Sequence, residues 1–341
     1  MNSQRYSKPQ LFISQPLFAI LLVVFVSSCA LPGGAVQELQ AIDVQLNWYH
    51  FAPFAGFYAA DHEGLYQDQG LRVTFHEAGP QDDYITPVVE GRADFGVALA
   101  DALMEAQAEG APLVAVAAIL QHSPVVLVSK PQVQIRTLSD LAGKTIRITN
   151  QTEPIVEALL HQYGVPMEAV EFVNLPSSLD EFESGSAEVW TVYSNSFPVQ
   201  LAQEGYELNS LFPDDFQVHF YGDVLFTHER TVEAQPELVA SFVQATFAGY
   251  RIVIEDEENV GLLVTEYAPE ANSALELEKW RGTMPLMLPG RKAMGWIEPD
   301  RWEQMRQVLA RHGDWDGAQI PAGGFTNQFV ENGQIPESAI R

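Results

Sequence analysis

The chain has 341 residues, of which 18 are basic and 45 are acidic, so its formal net charge is −27. A surface this acidic argues against nucleic acid as a partner, because phosphates would be repelled. The acidic residues are dispersed without a long run of one sign. We interpret them as a solubility feature or an adaptation to a salty habitat, rather than as a site for a cationic ligand.

The N-terminus is typical of an export signal. A basic segment precedes the apolar run 17–26, which is too short to cross a bilayer and has the length of a signal-peptide core. The run ends in Val26-Ser27-Ser28-Cys29, which resembles the bacterial lipobox. We therefore predict a lipoprotein signal over residues 1–28, lipidation of Cys29 and a tether over residues 29–40. A cleaved signal with an incidental cysteine is the alternative, although Cys29 is the only cysteine in the chain.

Beyond residue 40 the apolar pattern alternates between strands and helices. Strands are predicted at 42–46, 71–75, 93–98, 113–119, 124–130, 145–149, 170–173, 188–193 and 220–227. Helices are predicted at 54–63, 82–90, 101–109, 137–144, 154–163, 178–183, 197–204, from 236 onward, and near 260–267, 275–284 and 300–312. Such alternation predicts an α/β fold in which helices cover parallel sheets.

The length beyond the signal suits two lobes of ordinary domain size. The segments 124–130 and 220–227 are candidate crossings between them. We therefore predict a first lobe over residues 41–130, a second lobe over residues 131–221, and a return to the first lobe with C-terminal helices over residues 222–341.

The junction between the first strand and the first helix is unusually aromatic. Such a junction directs backbone N–H groups and a helix dipole toward the crevice where α/β sheets bind ligands. Phe57 and Tyr58 recur at helical spacing and are predicted to be core. Trp48 stands in the turn itself, and we predict that it offers a flat apolar surface to a planar ligand.

Several short segments follow one another in a characteristic order: LNW, FAGFYAADHEGLYQDQGLRVTF, GRADFGVA, GAPLVAVAAILQHSPVVLV, TLSDLAGKTI, YGDVLFT and FTNQFV. Through them, residues 42–335 resemble the periplasmic solute-binding proteins of ABC importers, in the family that includes alkanesulfonate-binding proteins and thiamine pyrimidine synthase. The resemblance implies a two-lobed, type II-like periplasmic binding protein. Each lobe would be a mostly parallel sheet flanked by helices, with two hinge crossings and a ligand held in the cleft.

The resemblance also implies a set of ligand contacts. These are Asn47, Trp48, Phe54, Asp101, Gln121, Thr152, Glu153, Tyr193, Asn195 and Asp223, with Tyr84 and His122 as secondary candidates. Trp48 and Tyr193 would sandwich the ligand. Carboxylates and amides beside aromatic rings favour a neutral or cationic planar heterocycle.

Most of these residues also have a structural interpretation. Asp101 is equally suited to capping its helix, and Glu153 to complementing a helix dipole. Asn47 could bond its own turn, Gln121 could satisfy a loop carbonyl, and Tyr193 could pack between the lobes. The histidines lack metal-ligand spacing, so no metal site is expected.

The expected function is that of a monomeric, lipid-anchored binding protein on the outer face of the cytoplasmic membrane. It would capture a thiamine pyrimidine precursor or similar heterocycle, without a cofactor, and deliver it to the permease and ATPase subunits of an importer. Riboflavin, or a sulfonate or other small anion, is the alternative ligand. The anion is disfavoured because no Arg stands at the implied contacts, whereas Asp101, Glu153 and Asp223 do.

Pyrimidine synthase activity is the third possibility. The synthases carry a Pro-Asn pair and a His in the turn after the Trp, whereas this chain has His50-Phe51 and then Phe54 where the His would fall. Their cysteine-rich motif is also missing, so an enzyme is not expected.

Overall fold

The computed structural model describes residues 38–79, 81–149, 152–288, 293–312 and 322–330. The predicted signal over residues 1–28, the lipidation of Cys29 and most of the tether over residues 29–40 lie outside the described residues. The predicted tether ends at residue 40, but Gln40 is already the first residue of the first strand.

The strands are β1 Gln40–Gln45, β2 Leu71–His76, β3 Phe95–Leu99, β4 Leu113–Ala118, β5 Val125–Ser129, β6 Thr145–Arg147, β7 Glu171–Val173, β8 Val189–Tyr193, β9 Asn209–Leu211 and β10 Asp223–His228. The α-helices are α1 Ala55–His62, α2 Leu65–Asp68, α3 Thr86–Val89, α4 Ala100–Ala108, α5 Glu153–Gln162, α6 Leu179–Ser184, α7 Phe197–Gln203, α8 Glu229–Ala234, α9 Pro236–Glu255, α10 Val260–Tyr267, α11 Ser273–Met287 and α12 Pro299–His312. Short 3-10 turns lie at Ala52–Phe54, Pro131–Val133, Leu138–Leu141, Met167–Ala169, Pro213–Phe216 and Glu257–Asn259.

The strands form two five-stranded sheets of the same design. The first sheet has the order β2-β1-β3-β10-β4 and the second has the order β7-β6-β8-β5-β9. In each sheet one strand runs antiparallel to its neighbours, β10 in the first and β5 in the second. These are the strands that enter each sheet from the other one, and the mostly parallel two-sheet prediction is confirmed.

Two chain segments join the sheets, between β4 and β5 and between β9 and β10. They run side by side, because Ser123 N–H donates to Phe220 O at 3.0 Å and Gly222 N–H donates to Leu120 O at 3.1 Å. The second sheet therefore begins at Val125, earlier than the predicted boundary at residue 130. β5 pairs with β8 and β9 inside the second sheet, and its side chains are buried in hydrophobic clusters on both faces of that sheet, so it lies beyond the crossing.

The long helix α9 packs against α1 and α2. By length and hydropathy α9 could cross a bilayer, yet more than half of it is buried within the protein, which identifies it as a core helix. Farther along the chain, α11 contacts α7, and α12 contacts both α4 and α5. Helices of the C-terminal part thus pack on elements of both sheets.

Most predicted elements are present, and the differences have local causes. The helix predicted at 82–90 is reduced to α3 Thr86–Val89, because Asp83 Oδ1 instead accepts from the N–H groups of Ile85 and Thr86 at 2.9 Å. The short strand β9 was not predicted. It exists because it pairs with the edge of β5.

Candidate functional site

A cavity of about 350 Å³ is lined by residues from both sheets. Trp48, Tyr49 and Phe51, which follow β1, form the wall on the side of the first sheet. The second sheet and its loops supply Arg147, Thr149, Thr152, Pro176, Ser177, Thr191, Val192, Tyr193, Ser196, Phe197 and Gln200. The cavity thus lies where the carboxyl ends of parallel strands of the two sheets meet, as expected for an α/β ligand site.

The turn that carries Trp48 is held from two sides. Glu77 accepts from the backbone N–H of His50 at 2.6 Å, and Glu276 in α11 accepts from that of Ala52 at 2.8 Å. The rings of Trp48 and Tyr49 meet edge to face with their centroids 5.5 Å apart. These two carboxylates, Glu77 at the surface and Glu276 in the interior, fix the turn through its backbone N–H groups, so the indole is presented in a defined position.

Arg147 is a buried cation in the wall of the cavity, with only 3% of its surface exposed. Its Nε donates to Leu175 O at 2.9 Å, and its two terminal nitrogens donate to Thr191 O and Ser177 Oγ, both at 2.8 Å. Burial lowers the pKa of the guanidinium to about 10, so it remains charged at neutral pH. The charge is held by neutral oxygens.

Threonine hydroxyls surround the backbone of Arg147. Thr191 Oγ1 donates to Arg147 O at 2.8 Å and lies 2.7 Å from Thr152 Oγ1. Thr152 Oγ1 also accepts from the N–H of Thr149 at 3.0 Å, at the start of α5. This side of the cavity therefore combines one cation with several hydroxyl groups.

A second polar group, which we call the acidic cluster, consists of Asn47, Tyr84, Asp101, Tyr193 and Asp223. Asn47 Nδ2 donates to Asp223 Oδ1 at 2.8 Å, and Asp101 Oδ2 has no hydrogen-bond partner among the described residues. Burial raises the pKa of Asp101 to about 7 and that of Asp223 to about 6. Burial and the negative charges of both aspartates also raise the pKa values of Tyr84 and Tyr193. Because Tyr193 also lines the cavity, it connects the acidic cluster to it.

Six of the ten predicted contacts therefore come together. Trp48, Thr152 and Tyr193 line the cavity, and Asn47, Asp101 and Asp223 form the acidic cluster with Tyr193. Tyr84, a secondary candidate, also belongs to the acidic cluster.

The other four residues do not line the cavity. Phe54 is core, with its ring 4.9 Å from that of Phe51. Gln121 donates to the carbonyl of Trp296 at 3.0 Å, the structural role that was its alternative. Asn195 is buried against α11, where it donates to Thr283 Oγ1 at 2.9 Å. Glu153 is the first residue of α5 and does not line the cavity.

The secondary candidate His122 is also outside the cavity. It lies on the first crossing, 3.0 Å from Asp214.

Arg147 is the main residue that the sequence interpretation missed, and it changes one inference. The anion was disfavoured because no Arg and three carboxylates stood at the implied contacts. That premise is wrong, since Arg147 lines the cavity and Asp101, Glu153 and Asp223 do not. The signal was an arginine between Ile146 and Ile148 in the strand predicted at 145–149.

Residues 52–260 match the protein family described as NMT1/THI5 like. The formylaminopyrimidine-binding protein of Halalkalibacterium halodurans is 25% identical over 308 residues, which cover 87% of this chain and 92% of that protein. The riboflavin-binding protein RibY of Chloroflexus aurantiacus is 22% identical over 349 aligned positions, covering 92% of this chain and 97% of that protein.

Among solved structures, the periplasmic aliphatic sulphonate binding protein SsuA of Escherichia coli superposes with a TM-score of 0.66. The identity is 14%, and the superposition covers 87% of this chain and 96% of that one, which shows a shared fold. The resemblance inferred from the sequence motifs is thereby confirmed. Because the family match covers more than half of the chain, the protein belongs to the NMT1/THI5-like family.

Proposed function

We propose that the protein is an extracytoplasmic solute-binding component of an ABC importer and that it holds a planar heterocycle between Trp48 and Tyr193. The observation that carries the proposal is that these two rings, one following β1 and one ending β8, line a single cavity. The two relatives are named for binding a formylaminopyrimidine and riboflavin, both flat heterocycles. A thiamine pyrimidine precursor of the hydroxymethylpyrimidine type is the ligand we favour.

The size of the cavity helps to decide between a pyrimidine and riboflavin as the ligand. Small-molecule sites usually have volumes of about 300 to 1,000 Å³. At about 350 Å³ the cavity is near the lower limit, which suits a single ring with small substituents better than a flavin with its ribityl chain. Riboflavin remains the second candidate because RibY binds it and aligns over nearly the whole chain.

Burial and stacking would supply the binding energy. Micromolar affinity corresponds to about 8 kcal/mol, whereas an aromatic pair contributes about 0.5 to 1.5 kcal/mol beyond the area it buries. Two stacked rings are therefore insufficient, and polar contacts from the hydroxyl groups of the cavity wall must add to them. Closure of the two sheets over the ligand, and opening at the paired crossings, would allow capture and release.

In this proposal the protein binds and releases its ligand unchanged. Lipidation of Cys29 would hold the monomer at the outer face of the cytoplasmic membrane, beside the permease and ATPase subunits that receive the ligand. Incubation with pyrimidine precursors followed by chromatography should yield no product. A new product would favour the synthase alternative.

A thermal-shift screen tests the proposal directly, because a ligand that binds only the native state raises the melting temperature by mass action. The panel contains hydroxymethyl- and formylaminopyrimidines, riboflavin, alkanesulfonates and polyamines. We expect the pyrimidines to give the largest shift. Stabilisation by alkanesulfonates or polyamines alone would refute the heterocycle assignment.

A further inference from the structure

We infer that the natural ligand carries an oxyanion group, a carboxylate, sulfonate or phosphate attached to its ring, and that Arg147 with Ser177 binds this group. The inference rests on the proposed function and deepens it, since it concerns the same cavity. It specifies a chemical feature of the ligand that the aromatic walls alone do not select.

The first step of the argument is the state of the guanidinium. Arg147 is almost fully buried, and among the described residues no carboxylate forms an ion pair with it. Burial is the cause of the lowering of its pKa, with no neighbouring acid acting against it. Such isolation is unexpected in a chain with 45 acidic and 18 basic residues. A buried charge is costly unless it is paired, so an anion from outside the chain would complete this site.

The second step is the number of donors. A guanidinium has five N–H groups in a planar fork that matches the oxygens of a carboxylate or phosphate. The hydrogen bonds to Leu175, Thr191 and Ser177 use one donor on each nitrogen. These three neutral acceptors fix the plane of the fork, and both terminal nitrogens keep a second N–H.

The third step is the surroundings. Thr149 and Ser177 line the same cavity, and their hydroxyls can donate to an oxyanion, whereas Thr191 already donates to Arg147 O and Thr152 then donates to Thr191 Oγ1. The aspartates of the acidic cluster are not part of this lining. Aromatic rings and a cation thus occupy one cavity, which matches a flat ring that carries an acidic substituent.

Arg147 also has a structural role, since it ties β6 to β8 and to the loop at Leu175. A purely structural arginine would affect every ligand equally, whereas an anion-binding arginine affects only charged ones. The experiment therefore compares ligands that share one ring and differ in charge.

Isothermal titration calorimetry of the native protein would compare 4-amino-5-hydroxymethyl-2-methylpyrimidine with its phosphate ester and with the corresponding carboxylate and sulfonate. We expect at least one anionic form to bind about tenfold tighter or more than the neutral ring, and the three forms together identify the group. In Arg147→Gln this preference should fall to about onefold, because the anionic rings lose much more affinity than the neutral ring does. Arg147→Lys keeps the charge and should retain part of the preference.

Equal affinities for the neutral and all anionic rings in the native protein would overturn the inference while leaving the proposed function intact. An equal loss for both kinds of ring in folded Arg147→Gln would also overturn it, because that result marks a structural arginine. If Arg147→Gln does not fold, Ser177→Ala replaces it, and it should weaken only the anionic rings. If no ring binds at all, the proposed function fails and the inference fails with it.

Discussion

Asn47 donates a hydrogen bond of 2.8 Å from Nδ2 to Oδ1 of Asp223, and both side chains are almost fully buried. The bond joins the end of β1 to the start of β10, the strand that returns to the first sheet. A single hydrogen bond from an amide does not compensate for the free-energy cost of removing the charged carboxylate of Asp223 from water. The pKa of Asp223 is therefore raised to about 6, and that of the neighbouring Asp101 is raised to about 7.

We expect these two carboxyls to reduce stability as the pH rises from about 4 to about 7. In that window a carboxyl with a raised pKa binds more protons in the folded than in the unfolded state, so the free energy of unfolding falls with pH. The amide in Asp101→Asn cannot ionise, so the free energy of unfolding of this variant should fall less steeply with pH. Urea unfolding between about pH 4 and about pH 7 measures this slope. Asp68→Asn, at an exposed position, should leave the slope unchanged. An identical slope in Asp101→Asn would contradict the assignment.

Trp48→Ala should weaken ligand binding by about tenfold or more, which corresponds to about 1.4 kcal/mol or more. The indole is half-buried and lines the cavity, so its loss removes a stacking surface without removing the core beneath it. Calorimetric titration with the best ligand of the screen measures the effect. Leu262→Ala, at a position that is 59% exposed and outside the cavity, is the matched control and should change neither affinity nor stability.

Phe54→Ala should mainly reduce stability, whereas Trp48→Ala should mainly reduce affinity, although both residues lie in the same aromatic turn. Its ring is 1% exposed and packs against Phe51 and Phe57. Deleting a buried phenylalanine costs about 3 to 5 kcal/mol of unfolding free energy. Urea unfolding should show this loss, and the folded fraction should lose less affinity than Trp48→Ala does. A stable Phe54→Ala variant that no longer binds ligand would restore Phe54 to the site.

The contrast between Trp48 and Phe54 shows how far the sequence could predict the site. Periodicity located most strands and helices. Six of the ten residues that the family resemblance implied lie in the cavity wall or in the acidic cluster beside it. Gln121 and Asn195 lie close to the ends of strands, just as Thr152 and Tyr193 do. Only their tertiary neighbours, the carbonyl of Trp296 and the hydroxyl of Thr283, separate structural residues from cavity residues.

The direction of β5 and β10 and the role of Arg147 could not be predicted from the sequence either, because both depend on segments that are far apart in the chain. Apolar patterns predict where strands lie but not which way they run, so the antiparallel β5 and β10 follow only from the two crossings. Arg147 meets Leu175, Ser177 and Thr191 because β6 pairs with β8 and the loop after β7 folds over it. Three distant segments are needed, and no local pattern contains them.

A further prediction concerns the contact of α1 with α9. A Cβ atom on Gly249 would lie 2.1 Å from Gly56 O and 2.7 Å from Ala60 N, so Gly249→Ala forces two backbones apart. Overpacking of this kind costs about 1 to 3 kcal/mol, which outweighs the gain of about 1 kcal/mol from helix propensity. Thermal and urea unfolding should therefore show a destabilised protein.

Gly282→Ala in α11 provides the matched control. Its Cβ would lie 3.4 Å from the nearest atoms, Cα and Cβ of Asn195, which is an ordinary contact. Since helix propensity then acts without a clash, the free energy of unfolding should stay constant or rise by up to about 1 kcal/mol. If Gly249→Ala were as stable as Gly282→Ala, the close approach of α1 to α9 would be refuted, and with it the packing that supports the turn carrying Trp48.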